Sequence, residues 1–213
     1  MIKYFKRRIK IIIIGDVHGE YNKLMKLVDK LPQKDDLCFV GDLIDRGPDS
    51  KKVVDFVKDN NHKCVMGNHE VFLIDSLYTN EIGSHFYNIN VYNIWLYNGG
   101  KETLKSFGGE IWDYLEWFNS LPLYIEYGNF LITHTYAANG KYTDKDSIVW
   151  SRDFSKPIRG NIINIFGHTI HKKPKKYFNK HWCIDTGAHH FGVLTALDLD
   201  TMKFYFSTSI LNF

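Results

Sequence analysis

The chain has 213 residues, of which 44% are hydrophobic and 24% charged, a balance that excludes a disordered or fibrous architecture and supports one substantial core. Its net charge of +3 is too small to argue for a nucleic-acid partner and would not repel an anionic substrate. No run approaches the roughly 18 consecutive apolar residues that a membrane helix needs, so no membrane partner is expected.

The basic start leads into four isoleucines that stop at Gly15 and Asp16, far short of a signal-peptide core. Three cysteines, Cys38, Cys64 and Cys183, sit in apolar runs without CxxC spacing and read as buried reduced thiols, which together with the absent leader predicts a cytoplasmic location. The first seventy residues repeat a short apolar run, a polar motif opened by glycine, and a segment with helical spacing. Strands are predicted at 11–14, 37–40 and 64–66, followed by GDVHG, GDLIDRG and GNHE. Helices are predicted over 21–31 (Leu24, Leu27, Val28) and 50–59 (Val53, Val54, Val57), giving βαβαβ.

From about 78 to 120 the pattern is helical and rich in aromatics, including Tyr87, Tyr92, Trp95, Trp112, Tyr114 and Trp117, with breaks at 98–100 and 108–109. It reads as an insert whose rings fill a helical core or form a substrate platform. Six further β-like runs follow, at 123–126, 130–133, 162–166, 182–184, 193–197 and 203–206, and are assigned to a second sheet. The expected fold is α/β, a layered sandwich of two mixed β-sheets flanked by helices in one domain over 1–213.

Loops leaving the carboxyl ends of neighbouring parallel strands converge on one crevice, so the three early motifs should meet. Asp16 and His18, two apart beyond a strand, can share one metal, and Asp42 has the two oxygens needed to bridge two cations. Asn68 offers an amide oxygen, while His134 and His168, again at strand ends, can serve a second metal. This mixed nitrogen and oxygen shell suits manganese, iron or zinc better than calcium.

Through GDVHG at 15–19, GDLIDRG at 41–47 and GNHE at 67–70 the sequence resembles the PPP family of metallophosphatases, within the calcineurin-like metallophosphoesterase superfamily. LITH at 131–134, VWSR at 149–152, FGHT at 166–169 and IDTGA at 184–188 also look like its bacterial and phage members. The resemblance implies that Asp16, His18 and Asp42 hold one divalent metal, manganese or natively iron or zinc, and that Asp42, Asn68, His134 and His168 hold the other. It further implies that His69 is the general acid, that Asp45 orients it, and that Arg46 and Arg152 clamp the phosphate beside Asn68. The expected reaction is in-line attack on phosphorus by a metal-bridging hydroxide, since two cations bring the pKa of water from 15.7 toward roughly 7.

By the same resemblance the substrate is a protein or peptide phosphorylated on serine or threonine, with tyrosine as a further acceptor. A dinucleoside polyphosphate is the alternative, because that branch carries a similar GDLIDRGPDS segment. A scaffold of the same fold should have lost acid, clamp or ligands, yet all are present. Where the family has small residues after His134, Tyr136 either narrows the pocket or packs on the second sheet. The basic run 171–176 reads as a solvated loop, and His189 and His190 as loop histidines.

Overall fold

The computed structural model describes residues 11–34, 36–77, 89–138 and 142–208. The isoleucine run forms β1 (Ile12–Ile14), followed by α1 (Tyr21–Val28), β2 (Leu37–Phe39), α2 (Ser50–Asp59), β3 (Lys63–Cys64) and α3 (Asn68–Leu77). β1, β2 and β3 pair in parallel, and β1 is buried on both faces, which is why its sequence is continuously apolar instead of alternating. Ile12 and Ile14 pack in one cluster with Leu24 and Leu27 of α1 and Val53, Val54 and Val57 of α2. Ile13 points the other way, to Ile132, Ile165 and Ile184, as the two-residue period of a strand requires.

The segment expected as an aromatic insert lies outside the described residues up to 88, which includes Tyr78 and Tyr87. Beyond that it is helical: α4 (Ile89–Trp95), a π turn over Leu96–Gly100, α5 (Lys101–Phe107), a 3-10 stretch over Gly108–Tyr114 and α6 (Leu115–Asn119). Gly99 and Gly108, both with positive φ, mark the breaks. Trp95 is fully buried, while Tyr92, Trp112, Tyr114 and Trp117 pack partly buried on the core.

β4 (Tyr124–Tyr127), β5 (Phe130–Thr133), α7 (Lys145–Trp150), β6 (Ile163–Phe166), β7 (Lys175–Tyr177), β8 (His181–Cys183), β9 (Thr195–Asp198) and β10 (Lys203–Phe206) complete the chain. The second sheet runs β4-β5-β6-β8-β7 and the first runs β10-β9-β1-β2-β3. Both are mixed, as expected, but the last two strands belong to the first sheet and not the second. The reason is local: β1 is buried and pairs with β2 on one edge only, so its other row of backbone groups needs a partner. β9 supplies it antiparallel, with Ile13 opposite Leu197. Part of the basic run, expected as a loop, forms edge strand β7, where Lys175 and Lys176 lie over the rings of Tyr177 and Trp182.

The three cysteines are buried and free. Tyr136 is buried among Phe154, Phe166, Tyr177, Phe178 and His181, and its hydroxyl donates to Lys156 O and accepts from Ile158 N. Of the two readings, packing on the second sheet is the one observed. Among the described residues no helix is long and apolar enough to cross a membrane.

His181 gives the fold a titration that can be measured. Its Nδ1 accepts the backbone N–H of Asn164 at 3.0 Å, and burial pushes its pKa from 6.5 down to about 4. The unfolded chain takes up a proton below pH 6.5 that the folded chain refuses until about 4, so stability is lost as pH falls through that window, by roughly 3 kcal/mol. Replacing His181 with Asn keeps an acceptor for Asn164 and removes the titration. Thermal melts between pH 7 and 4 should show a shallower loss of stability in His181→Asn than in the parent.

Candidate active site

Asp16, His18, Asp42, Arg46, Asn68, His69, Arg152, His168, Thr169, Ile170 and Asp185 line one cavity of about 210 Å³. The strand ends bring them there: Asp16 and His18 follow β1, Asp42 follows β2 and His168 follows β6, with His134, after β5, directly behind His168 at 3.2 Å. Asn68 and His69 open α3 just beyond β3. All of the expected ligand residues are buried.

Asp42 lies at the centre. Its Oδ2 is 3.6 Å from His18 Nε2 and its Oδ1 is 3.4 Å from His134 Nε2. Two donor groups share it, one with His18 and His69 and one with His134 and His168, each with ligand atoms within 4.8 Å of one another. Asn68 Oδ1 lies 2.8 Å from both His134 Nε2 and His168 Nδ1. His134 Nδ1 donates to Val40 O at 2.8 Å and His18 Nδ1 donates to Ile44 O at 3.0 Å. These bonds fix the tautomers so that both Nε2 lone pairs face the Asp42 carboxylate.

The donor set fits two cations. His134 Nε2, His168 Nδ1 and Asn68 Oδ1 lie within 3.2 Å of one another, and Asp16 Oδ1 and His168 Nε2 are buried without a hydrogen-bond partner. Burial pushes the pKa of His18 and of His134 down and lowers that of His168 to about 3. Burial also raises the Asp16 carboxyl, and the charges of Asp185 and Asp42 raise it further. At Asp42 burial acts upward too, but the imidazoles of His134, His69 and His18 outweigh it and hold the carboxyl below its ordinary range. Positive charge placed among these carboxylates would relieve their repulsion.

The backbone is bent to make this arrangement. His18, Asp42, Asp45, Arg46 and His168 all have φ between 49° and 72°, a left-handed region costly for residues with a Cβ. Glu70 anchors the bend: its carboxylate accepts from the backbone N–H of Asp42 and Leu43 at 2.8 Å and of Gly67 at 3.0 Å. Burial, then the charge of Asp42, pushes its pKa up to about 7. Gly167 must lack a side chain, since a Cβ there would stand 1.9 Å from Asp16 Oδ1.

His69 and Asp45 form a buried pair, Nδ1 to Oδ2 at 2.6 Å. Burial lowers the His69 pKa, but the charge of Asp42 and the bond to Asp45 raise it above its ordinary value on balance. Arg46 donates through Nη2 to His69 Nε2 at 2.9 Å and through Nη1 to His18 Nε2 at 2.7 Å. Arg152 is exposed at the rim. His189 is a half-exposed loop residue paired with Glu20, and His190 is exposed.

Residue-by-residue reading missed four contributors: Glu70, Asp185, Trp95 and Thr103. The first two lay within the quoted GNHE and IDTGA motifs, so the signal was present. Asp185 lines the cavity, and burial pushes its carboxyl up to about 7. Trp95 and Thr103 donate to Asp45 from the insert, which no local motif announced.

The calcineurin-like phosphoesterase model matches residues 9–200. The chain is 30% identical to serine/threonine-protein phosphatase 1 of Salmonella typhimurium, over 86% of this chain and 88% of that one. It is 29% identical to the asymmetrical bis(5'-nucleosyl)-tetraphosphatase of Anoxybacillus flavithermus, over 90% and 91%. A solved chain provisionally assigned as a diadenosine tetraphosphatase shares the fold, with a TM-score of 0.66, 20% identity and coverage of 94% of both chains.

Glu70→Gln places an amide donor against backbone donors. Leaving one or two buried N–H groups unpaired costs about 1–3 kcal/mol each, so a lower melting temperature and weaker divalent-metal binding are expected together. Calorimetric melts and metal titration check this, and unchanged metal affinity would contradict the anchoring role.

Proposed function

The chain belongs to the calcineurin-like phosphoesterase family and is a metal-dependent phosphoesterase; from that premise we propose that it removes phosphate from phosphoserine and phosphothreonine in proteins. One observation carries the reading. Asp16, His18, Asp42, Asn68 and His168 line a small cavity, with His134 grouped behind them on Asp42 and His168, and the same wall holds Arg46, Arg152 and His69, the last paired to the buried Asp45. We assign the six to two divalent ions, manganese being suited to the mixed nitrogen and oxygen shell. Bound there, such ions polarise phosphoryl oxygens and lower the pKa of a bound water.

The protein's own groups complete the reaction. Arg46 and Arg152 present guanidinium donors to the phosphoryl oxygens, with Asn68 alongside, and stabilise the charge spread over them as the bond breaks. In this structure Arg46 donates to His69 Nε2, so that nitrogen carries a lone pair. When the guanidinium turns to phosphate, Nε2 is released to take up a proton from solvent water and deliver it to the departing serine oxygen. Asp45 keeps the other nitrogen, Nδ1, protonated and the ring aimed.

The relative from Salmonella supports a protein substrate, and the cavity supports it as well. Among the described residues its lining contains no Phe, Tyr or Trp on which a nucleobase would stack. Dinucleoside polyphosphate hydrolysis is the second reading, favoured by the relative from Anoxybacillus and by the solved chain of the same fold. We read residues 1–213 as one domain, and the buried free thiols suit a reducing, cytoplasmic setting.

With manganese the purified protein should hydrolyse a phosphoserine peptide and an aryl phosphate, faster than diadenosine tetraphosphate, and chelation should abolish all turnover. His69→Asn should depress phosphopeptide turnover by about 10²–10⁴ with metals still bound. Preference for the dinucleotide would replace the first reading with the second, and inactivity with several metals would end both.

A further inference from the structure

The carboxylate of Asp45 is fully buried and surrounded by donors. Thr103 Oγ1 donates to Oδ1 at 2.6 Å, and Trp95 Nε1 donates to both oxygens, at 3.1 and 3.0 Å. His69 Nδ1 completes the set at Oδ2. An indole nitrogen can only donate. The Thr103 oxygen meanwhile accepts the Asp45 backbone N–H at 2.9 Å, which leaves its proton for the carboxylate. Thr103 and Trp95 thus reach both oxygens and fix the plane of the carboxylate, and Oδ2 presents an acceptor direction that the His69 ring occupies.

Both outside donors come from the insert, Trp95 from the end of α4 and Thr103 from α5. The turn between them is seated on the same loop. Gly99 O accepts the N–H of Arg46 at 3.2 Å, and a Cβ on Gly99, at φ 110°, would lie 2.5 Å from that nitrogen. Ser106 Oγ accepts the N–H of Lys51 at 3.0 Å. The insert therefore contacts the catalytic loop from behind, through backbone and side chains, over residues 45–51.

We propose that Trp95 and Thr103 are positioning residues for proton delivery, holding the Asp45 carboxylate so that His69 presents Nε2, and no other edge, to the leaving oxygen. The inference rests on the reading of His69 as general acid. It gives the insert a task in the reaction besides filling a core: among the described residues its rings do not line the cavity, but one of them orients the carboxylate that orients the acid. Neither residue touches the substrate or the metal ligands' donor atoms, so the effect must appear in proton delivery alone.

Trp95→Phe and Thr103→Val keep bulk and remove one donor each, and Thr103→Ser restores the hydroxyl. On a phosphoserine peptide, whose leaving alkoxide needs a proton, kcat should fall about tenfold in the first two variants and recover in the third, with KM within about twofold; on an aryl phosphate with a good leaving group kcat should hold within about twofold. In a His69→Asn background neither substitution should cost anything further. Equal losses on both esters, or full losses added to His69→Asn, would overturn the proposal. If His69→Asn itself slows both esters alike, the acid reading fails, and nitrogen-15 spectra of the metal-free protein decide the positioning alone. A single Nδ1–H tautomer of His69 in the parent and a mixture in Trp95→Phe and Thr103→Val supports it, whereas identical spectra refute it. Melting temperature measured in parallel shows which variants are folded, and either variant suffices for the test.

Discussion

The buried carboxylate of Glu70 ties the loop after β2 to the loop after β3 by accepting three backbone N–H groups. Asp42 owes its left-handed backbone and its central place to that contact. With Asp42 displaced, the His18 side and the His134–His168 side would no longer share an oxygen-bearing group. The cost of bending the chain at five cavity-lining or adjacent residues is of order 1–3 kcal/mol each. It is offset by hydrogen bonds that exist only in this arrangement, among them His168 N to Asp16 Oδ2 and the N–H groups of Val17 and His18 to Asp42 O.

Charge and burial work together in the same small volume. Carboxyls of Asp16 and Asp185 are raised by burial and by like charge, while Asp42 is held down by imidazoles. Such divergence among neighbouring acids marks a site built to receive cations and an anionic ester, and not a core that merely tolerates polar groups. The arginines lie at two depths, Arg46 half-buried within the cavity and Arg152 exposed at its rim; in the proposed reading they grip phosphate while the rest of the substrate stays outside.

Much of this was legible in the chain. β1, β2 and the ends of β5 and β6 were readable because parallel buried strands are continuously apolar and stop abruptly at polar motifs. The side chains brought to the cavity stand in those motifs. What could not be read depends on partners far away in sequence. β9 and β10 look like any late strands until β1 is seen to need a second edge. β7 is hidden among lysines, because an edge strand tolerates charge. Tyr136 follows His134 by two residues yet packs away from the cavity, and Trp95 is one aromatic among many until its N–H is found on Asp45. The left-handed conformations were also invisible, since Asp, His and Arg fill positions where a turn would ordinarily announce itself with glycine.

In the proposed site one carboxylate, Asp42, joins two cation positions into a single pair. Electron paramagnetic resonance of the protein loaded with two manganese ions per chain tests it most directly. Ions sharing the Asp42 carboxylate should be exchange-coupled and give the multiline spectrum of a pair, collapsing to isolated-ion signals in Asp42→Asn. Six-line spectra of uncoupled manganese in the unaltered protein, at full occupancy, would rule out a carboxylate shared by the two ions.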